Sequence, residues 1–237
     1  MSVSSKAERI RTALRTLPMF RGLGEEVHRQ LATIASIRDY RRGDFLWHEG
    51  DESEWLTLIV RGRVKIVREV PAGDVILEIF GEGEPVGSIA VYNYIPYPAS
   101  AVALEDVTIF ALPRRDYFEL LDRQPEFTRG ILRELTKLTI ALTRKLADAR
   151  GQRVDVRIAQ LFLALSARMG KEVDGGVEIP LQLSRQEIAD LVGTTVESAI
   201  RVMSRWGREG LVVTREKGFL VPSREKLAAV IESPAEP

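Results

Sequence analysis

Across residues 41–113 the apolar residues come in short β-branched runs, such as WLTLIVRGRVKIVREV and VILEIFGEGEPVG. Glycines at 43, 50, 62, 73, 81, 83 and 87 separate them at turn spacing. Runs this short and this often interrupted cannot build long helices. They fit several short strands closing into a β-sandwich or barrel. Residues 8–37 carry Ile10, Leu14, Leu17, Val27, Leu31 and Ile34 at helical spacing and predict one or two short helices ahead of the strands. Together they define an N-terminal domain over residues 1–115.

From residue 116 to 150 the period becomes helical. Ile131, Leu135, Leu138, Leu142 and Leu146 are spaced 4, 3, 4 and 4 on a surface otherwise rich in Arg, Lys, Glu and Thr. A stripe this narrow suits a coiled-coil seam between two copies of the chain. The same stripe would serve a helix lying on its own domain, because periodicity does not name the partner. Residues 151–237 form a third region. VDVRIAQLFLALSARMG, LSRQEIADLVG and TTVESAIRVMSRWGREG read as helices, and LVVTREKGFLVP alternates around Lys217-Gly218 as a hairpin. Helix, helix, break, helix, hairpin is the order of a winged helix-turn-helix.

The local chemistry of that region agrees. Ser184 followed by Glu187 makes a capping box, Gly193 can end the first helix in a left-handed conformation, and Thr194 or Thr195 can cap the next. On the second helix Ala199, Val202, Met203 and Trp206 fall inward by period. Val196, Glu197, Ser198, Ile200, Arg201 and Arg205 are left on or near the outer face. Glu197 and Arg201 stand one helical turn apart at the end of the helix that meets base edges. Arginine can bind guanine O6 and N7 bidentately, and glutamate can accept from cytosine N4. On an arbitrary helix the same pair would be a surface ion pair worth about 0.2–0.5 kcal/mol; in a helix-turn-helix it predicts base reading. Val196, Ser198 and Ile200 complete the expected base-reading set. Ser184, Arg185, Thr195, Arg205 and Lys217 are the expected phosphate contacts.

Composition sets the outer bounds. The chain has 237 residues, 45% hydrophobic and 29% charged, with a formal net charge of zero. A neutral total leaves nucleic-acid binding to a local basic face. No apolar run has the length of a membrane span or an export signal, so the cytoplasm is the expected location. There is no cysteine, which excludes disulfides and an iron–sulfur cluster held by thiolates. No phosphate-binding loop, nucleophile elbow or metal-ligand spacing supports an enzyme.

Over nearly its whole length the chain resembles the Crp–Fnr family of bacterial transcription factors, on RRGDFLWHEGD and LIVRGRVKIV in the strand region, the long helix, and GLVVTREKGFLV in the wing. The resemblance implies an α+β fold: a cyclic-nucleotide-binding-type β-roll, a dimerisation helix and a winged helix-turn-helix. It implies a homodimer that binds a palindromic DNA site and acts on RNA polymerase, with no membrane partner. In the family a Glu and an Arg at this spacing read the G·C pair of a TGA core, and they map onto Glu197 and Arg201. Val196 is similar to the Fnr-like branch, whose half-sites look like TTGAT or TTGAC; Ile200 stands where that branch often has Ser. In members that bind cyclic AMP a Gly-Glu pair meets the ribose and an Arg with Ser or Ala clamps the phosphate. The matching residues here are Gly87, Ser88, Tyr97 or Pro98, Ala99 and Ser100, so both the Glu and the Arg are replaced. Residues 69–113 contain no Lys or Arg against seven acids, which argues against cyclic AMP. Haem, used by gas-sensing branches, stays open as an alternative, with His28 and His48 as the histidine ligands at hand. Tyr92, Tyr94 and Tyr97 either line a pocket or cover the β-roll. A β-roll dimer that acts only through protein contacts is the remaining rival.

Overall fold

The computed structural model describes residues 3–70, 73–148 and 152–232. The chain divides into two compact units, Met1–Ala141 and Leu142–Pro237.

The first unit opens with helices α1 (Val3–Thr16) and α2 (Glu25–Ile34). Strands β1 (Ser36–Tyr40), β2 (Phe45–Trp47), β3 (Trp55–Arg61), β4 (Val64–Val70), β5 (Gly73–Phe80) and β6 (Pro85–Val86) follow. A short helix α3 (Ser88–Asn93) precedes β7 (Ser100–Ala103) and β8 (Val107–Pro113), and helices α4 (Arg114–Arg123) and α5 (Pro125–Asp148) complete the run. The strands form two four-stranded sheets, ordered β1-β8-β3-β6 and β2-β7-β4-β5. Every pairing is antiparallel.

The run VTIFALP of β8 is apolar apart from Thr108 because both of its faces are covered. Phe110 and Leu112 face the helical layer with Phe20, Leu31 and Phe127, while Val107, Ile109 and Ala111 face the interior of the roll with Trp47, Ile59 and Ala101. Leu56 and Leu58 of β3 join the helical side and Ile59 the interior, the alternation a strand imposes. Phe20 stands at the centre of the helical side, 5.0 Å from Phe110 and 5.6 Å from Phe127 between ring centroids.

Two expectations change here. The helix expected to run unbroken from residue 116 starts at Arg114 and is split at Gln124 (φ −124°, ψ 87°). Pro125 lacks an N–H and drives the residue before it out of the helical region. The second change concerns the apolar stripe on α5. Ile131 is only 4% exposed and belongs to the helical core of its own unit, and Leu135 packs against the same cluster. Ile131 is thus not free for a second copy, and Leu135 is free only in part. Leu138 is half-buried, Leu142 is exposed, and the side chain of Leu146 lies outside the described residues.

The second unit contains α6 (Val154–Met169), β9 (Lys171–Val173), β10 (Gly176–Ile179), α7 (Arg185–Val192), α8 (Val196–Glu209), β11 (Val213–Arg215), β12 (Gly218–Val221) and α9 (Arg224–Glu232). The expected hairpin β11–β12 is the edge half of a four-stranded sheet, ordered β11-β12-β10-β9. Phe162 of α6 meets Phe219 of β12 edge-on at 4.9 Å, and Trp206 of α8 is 1% exposed. Among the described residues no helix is long and apolar enough to cross a membrane.

Candidate nucleic-acid interface and sensor pocket

Helix α7 begins with the expected capping box. Ser184 Oγ accepts from Glu187 N–H at 3.1 Å, and Glu187 Oε2 accepts from Ser184 N–H at 2.8 Å. It ends at Gly193, whose φ of 64° and ψ of 53° place it in the left-handed region, where glycine carries no penalty. Thr194 N–H reaches back to Ala189 O at 2.9 Å, so the turn is tied to the helix it leaves. Thr195 then caps α8, accepting from Ser198 N–H at 3.3 Å. The sequence left the cap between Thr194 and Thr195; the geometry selects Thr195.

Ala199, Val202, Met203 and Trp206 are the buried residues of α8. Glu197, Ile200, Arg201 and Arg205 are exposed, while Val196 and Ser198 are half-buried. The helix is therefore anchored along one face and offers the other. No ion pair joins Glu197 to Arg201 among the described residues. Arg201 has only a long contact from Nη2 to Ser198 Oγ, at 3.4 Å. An i,i+4 surface pair, the bland reading of these two residues, is absent from this conformation, and both charged ends remain available.

The expected phosphate contacts separate into two groups. Ser184, Thr195 and Lys217 are exposed at the start of α7, the start of α8 and the tip of the β11–β12 hairpin. Arg185 is half-buried and donates from Nη2 to Thr214 Oγ1 at 2.9 Å; burial pulls its guanidinium below the usual arginine value. Arg205 departs further from expectation. Its Nη2 lies 3.2 Å from Asp155 Oδ2 at the start of α6, and Arg153 Nη2 approaches the same oxygen at 2.5 Å. A guanidinium shared with a buried carboxylate is a fold contact first. As a phosphate contact, Arg205 would have to share its guanidinium with Asp155.

Sequence reasoning also missed Arg157. Its Nη1 donates to Val192 O at 2.5 Å and Gly193 O at 2.8 Å, so a side chain of α6 covers the carbonyl end of α7 at the turn between the two helices. Basic groups are favourable at a helix C-terminus. The only sequence hint was an arginine on the mostly apolar stretch VDVRIAQLF.

Of the six residues matched to the family's effector pocket, Gly87 and Tyr97 lie against each other. Gly87 precedes Ser88 at the start of α3; Tyr97 and Ala99 are buried; Ser100 is half-buried; Pro98 points to solvent. Tyr92 and Tyr94 part company with Tyr97: they are 56% and 64% exposed and stack on Phe118 of α4. The histidines do not fit a haem ligand set. His28 makes a 2.9 Å hydrogen bond through Nε2 to Phe20 O, and His48 stacks on exposed Phe45.

Residues 37–124 match the family model of the cyclic nucleotide-binding domain, and residues 156–230 match the Crp-like helix-turn-helix domain. The transcriptional regulatory protein btr of Bordetella pertussis is 33% identical over 178 residues, 72% of this chain and 71% of that one. The CRP-like cAMP-activated global transcriptional regulator of Mycobacterium tuberculosis is 28% identical over 191 residues, 80% and 85% of the two chains. Among solved structures, FixK2 of Bradyrhizobium japonicum is similar with a TM-score of 0.73 at 18% identity, covering 85% of this chain and all of the other. A CooA variant from Carboxydothermus hydrogenoformans gives 0.74 at 20% identity, covering 91% and 95%. At such identities the likeness of the structures speaks for the fold alone. A β-roll of nucleotide-binding type followed by a Crp-like helix-turn-helix defines a DNA-binding transcriptional regulator rather than an enzyme. The chain belongs to the Crp–Fnr family of these regulators.

Proposed function

We propose that the protein binds a palindromic TTGA-type site as a homodimer, in the cytoplasm, and controls transcription through RNA polymerase. Arg201 takes guanine O6 and N7 of the TGA core, and Glu197 accepts from N4 of the paired cytosine. The observation that carries this reading is the state of the two side chains. They stand exposed, one turn apart, on the first half of a helix whose other face is buried, and they are not paired with each other. Ser184, Thr195 and Lys217 surround that helix end as phosphate contacts, with Arg185 turned toward the hairpin strand β11. The dimer forms through the exposed face of α5.

Binding selection on randomised half-sites tests the base assignments. The wild type should select the TGA core. Arg201→Ala should lose about 1–3 kcal/mol on the cognate site and accept other bases opposite that position. An Arg201→Ala protein that selects the same bases as the wild type would end the claim. Failure of the wild type to shift any TTGA palindrome would favour a β-roll dimer acting through protein contacts.

A further inference from the structure

Where the family resemblance puts the sugar and phosphate of a cyclic nucleotide, this protein has two of its own rings. Gly87 has φ 72° and ψ 4°. A Cβ built on it would lie 2.7 Å from Tyr97 Cε1 and 3.2 Å from Trp47 Cη2, so both rings press on the glycine backbone. Trp47 and Tyr97 stack with centroids 4.1 Å apart and planes within 14°. They are 8% and 5% exposed.

Each ring is fixed at its polar end. Trp47 Nε1 donates to Ala99 O at 3.1 Å, and Tyr97 Oη donates to Trp55 O at 3.3 Å. The Tyr97 main chain is held as well: its N–H donates to Asp51 O at 2.9 Å, and its carbonyl accepts from Gly50 N–H at 2.8 Å. Burial pushes the Tyr97 phenol up to about 12, against the opposing pull of Arg114 and Arg38, so the ring stays neutral.

Ser100 and Arg68 each already have a partner. Ser100 Oγ accepts from Glu49 N–H at 2.8 Å. The Glu49 carboxylate lies 3.7 Å from Arg68 of β4, so that cation already faces an acid. Residues 69–113 supply no Lys or Arg. A cyclic phosphate entering here would displace a stacked ring pair and meet no free cation from that segment.

We propose that the sensor pocket is filled from within: Tyr97, stacked on Trp47 against Gly87, takes the nucleotide's place and holds the β-roll in one state without a small-molecule effector. A tethered occupant has the advantage of effective concentration over any free ligand of the same shape. Tyr97 is one of the two residues, with Pro98, that the resemblance matches to the arginine of nucleotide-binding relatives, and it is the buried one of the two.

The test uses the full chain and no DNA, so its outcome is independent of the base-reading assignments. Cyclic AMP and cyclic GMP are titrated calorimetrically into the wild type, and thermal melts are recorded for the wild type, Tyr97→Phe and Tyr97→Ala with and without p-cresol. The wild type should give no binding heat with either nucleotide at millimolar concentration. Tyr97→Phe should melt close to the wild type. Tyr97→Ala should melt several degrees lower, and p-cresol should raise its midpoint while leaving the wild type unmoved. Micromolar binding of either nucleotide to the wild type would overturn the proposal. So would a Tyr97→Ala chain that melts like the wild type, or p-cresol that moves both proteins equally. Should Tyr97→Ala not fold, Tyr97→Leu takes its place in the melts, and the wild-type titration still decides against the proposal if heat is seen.

Discussion

Arg205 lies one turn beyond Arg201 on the same helix, and both are exposed. Their neighbours give them different work. Arg201 has no acidic partner among the described residues, whereas Arg205 shares Asp155 with Arg153. Asp155 is 7% exposed. Burial raises its carboxyl pKa, but hydrogen bonds from Arg153, the Val156 N–H and Arg205 outweigh burial and hold it below the usual range. A carboxyl lowered in the folded state contributes stability that is fully present above its unfolded value of about 3.9 and is lost as pH falls through the folded value. Asp155→Asn should therefore cost the second unit about 1–3 kcal/mol at neutral pH. The gap to the wild type should close below about pH 4, as followed by urea unfolding at several pH values. The same pairing sets a test for Arg205. Lys217→Ala should lower the slope of log affinity against log salt by about one unit for each half-site bound, as a lost phosphate contact does. Arg205→Ala should lower it by clearly less. Equal slopes for the two variants would return Arg205 to the phosphate set.

At the scale of elements, what could be read in the sequence depended on how local the chemistry was. The capping box of α7, the glycine turn and the inward set of α8 involve residues within a few positions of one another, and each was legible from spacing alone. The strand region was legible because glycine punctuation is local too. Arg157, bonded to carbonyls 35 and 36 residues away, was not. Neither was Trp47, which meets Tyr97 only after the roll has closed. Helices α3 and α9 and the β9–β10 hairpin were missed because elements this short carry little period. On α5 the stripe marked a face correctly but not its partner. Its first residues, Ile131 and Leu135, are held by the core around Phe127. Among the described residues, the exposed large apolar ones of the helix are Leu132, Ile140 and Leu142. At 100° per residue, Leu132, Thr136, Thr139 and Thr143 share the face that Ile140 and Leu142 flank. Thr136 and Thr139 donate their hydroxyls to Leu132 O and Leu135 O at 2.8 and 2.9 Å, which leaves that face largely apolar. Two adjacent substitutions should then behave in opposite ways. Leu132→Glu should leave the helical content intact and halve the mass seen by light scattering. Ile131→Glu, which puts a charge into a packed core, should unfold the first unit. A Leu132→Glu protein that stays dimeric would move the interface off this face.

For the molecule as a whole, a net charge of zero means that DNA affinity must come from a few placed cations, doubled by symmetry in the proposed dimer. The second unit has its own core, with Phe162, Trp206 and Phe219 each 1% exposed or less, and its helices α7 and α8 carry their own caps. Residues 152–232 should therefore fold as a fragment. One copy reaches one half-site. In the proposed dimer, two copies joined through α5 would reach both, and the second contact would become intramolecular, a gain of about 10²–10⁴ in affinity when the geometry allows simultaneous engagement. Anisotropy titrations on a full palindrome and on a single half-site measure that gain. The fragment should bind each half-site of the palindrome as it binds the isolated one. The full chain should prefer the palindrome by roughly that factor, and its salt slope on the palindrome should be about twice the fragment's, because it contacts about twice as many phosphates. A full chain that binds both DNAs equally, with the fragment's slope, would mean that a single α8 acts alone, and the palindromic site would fall with the dimer.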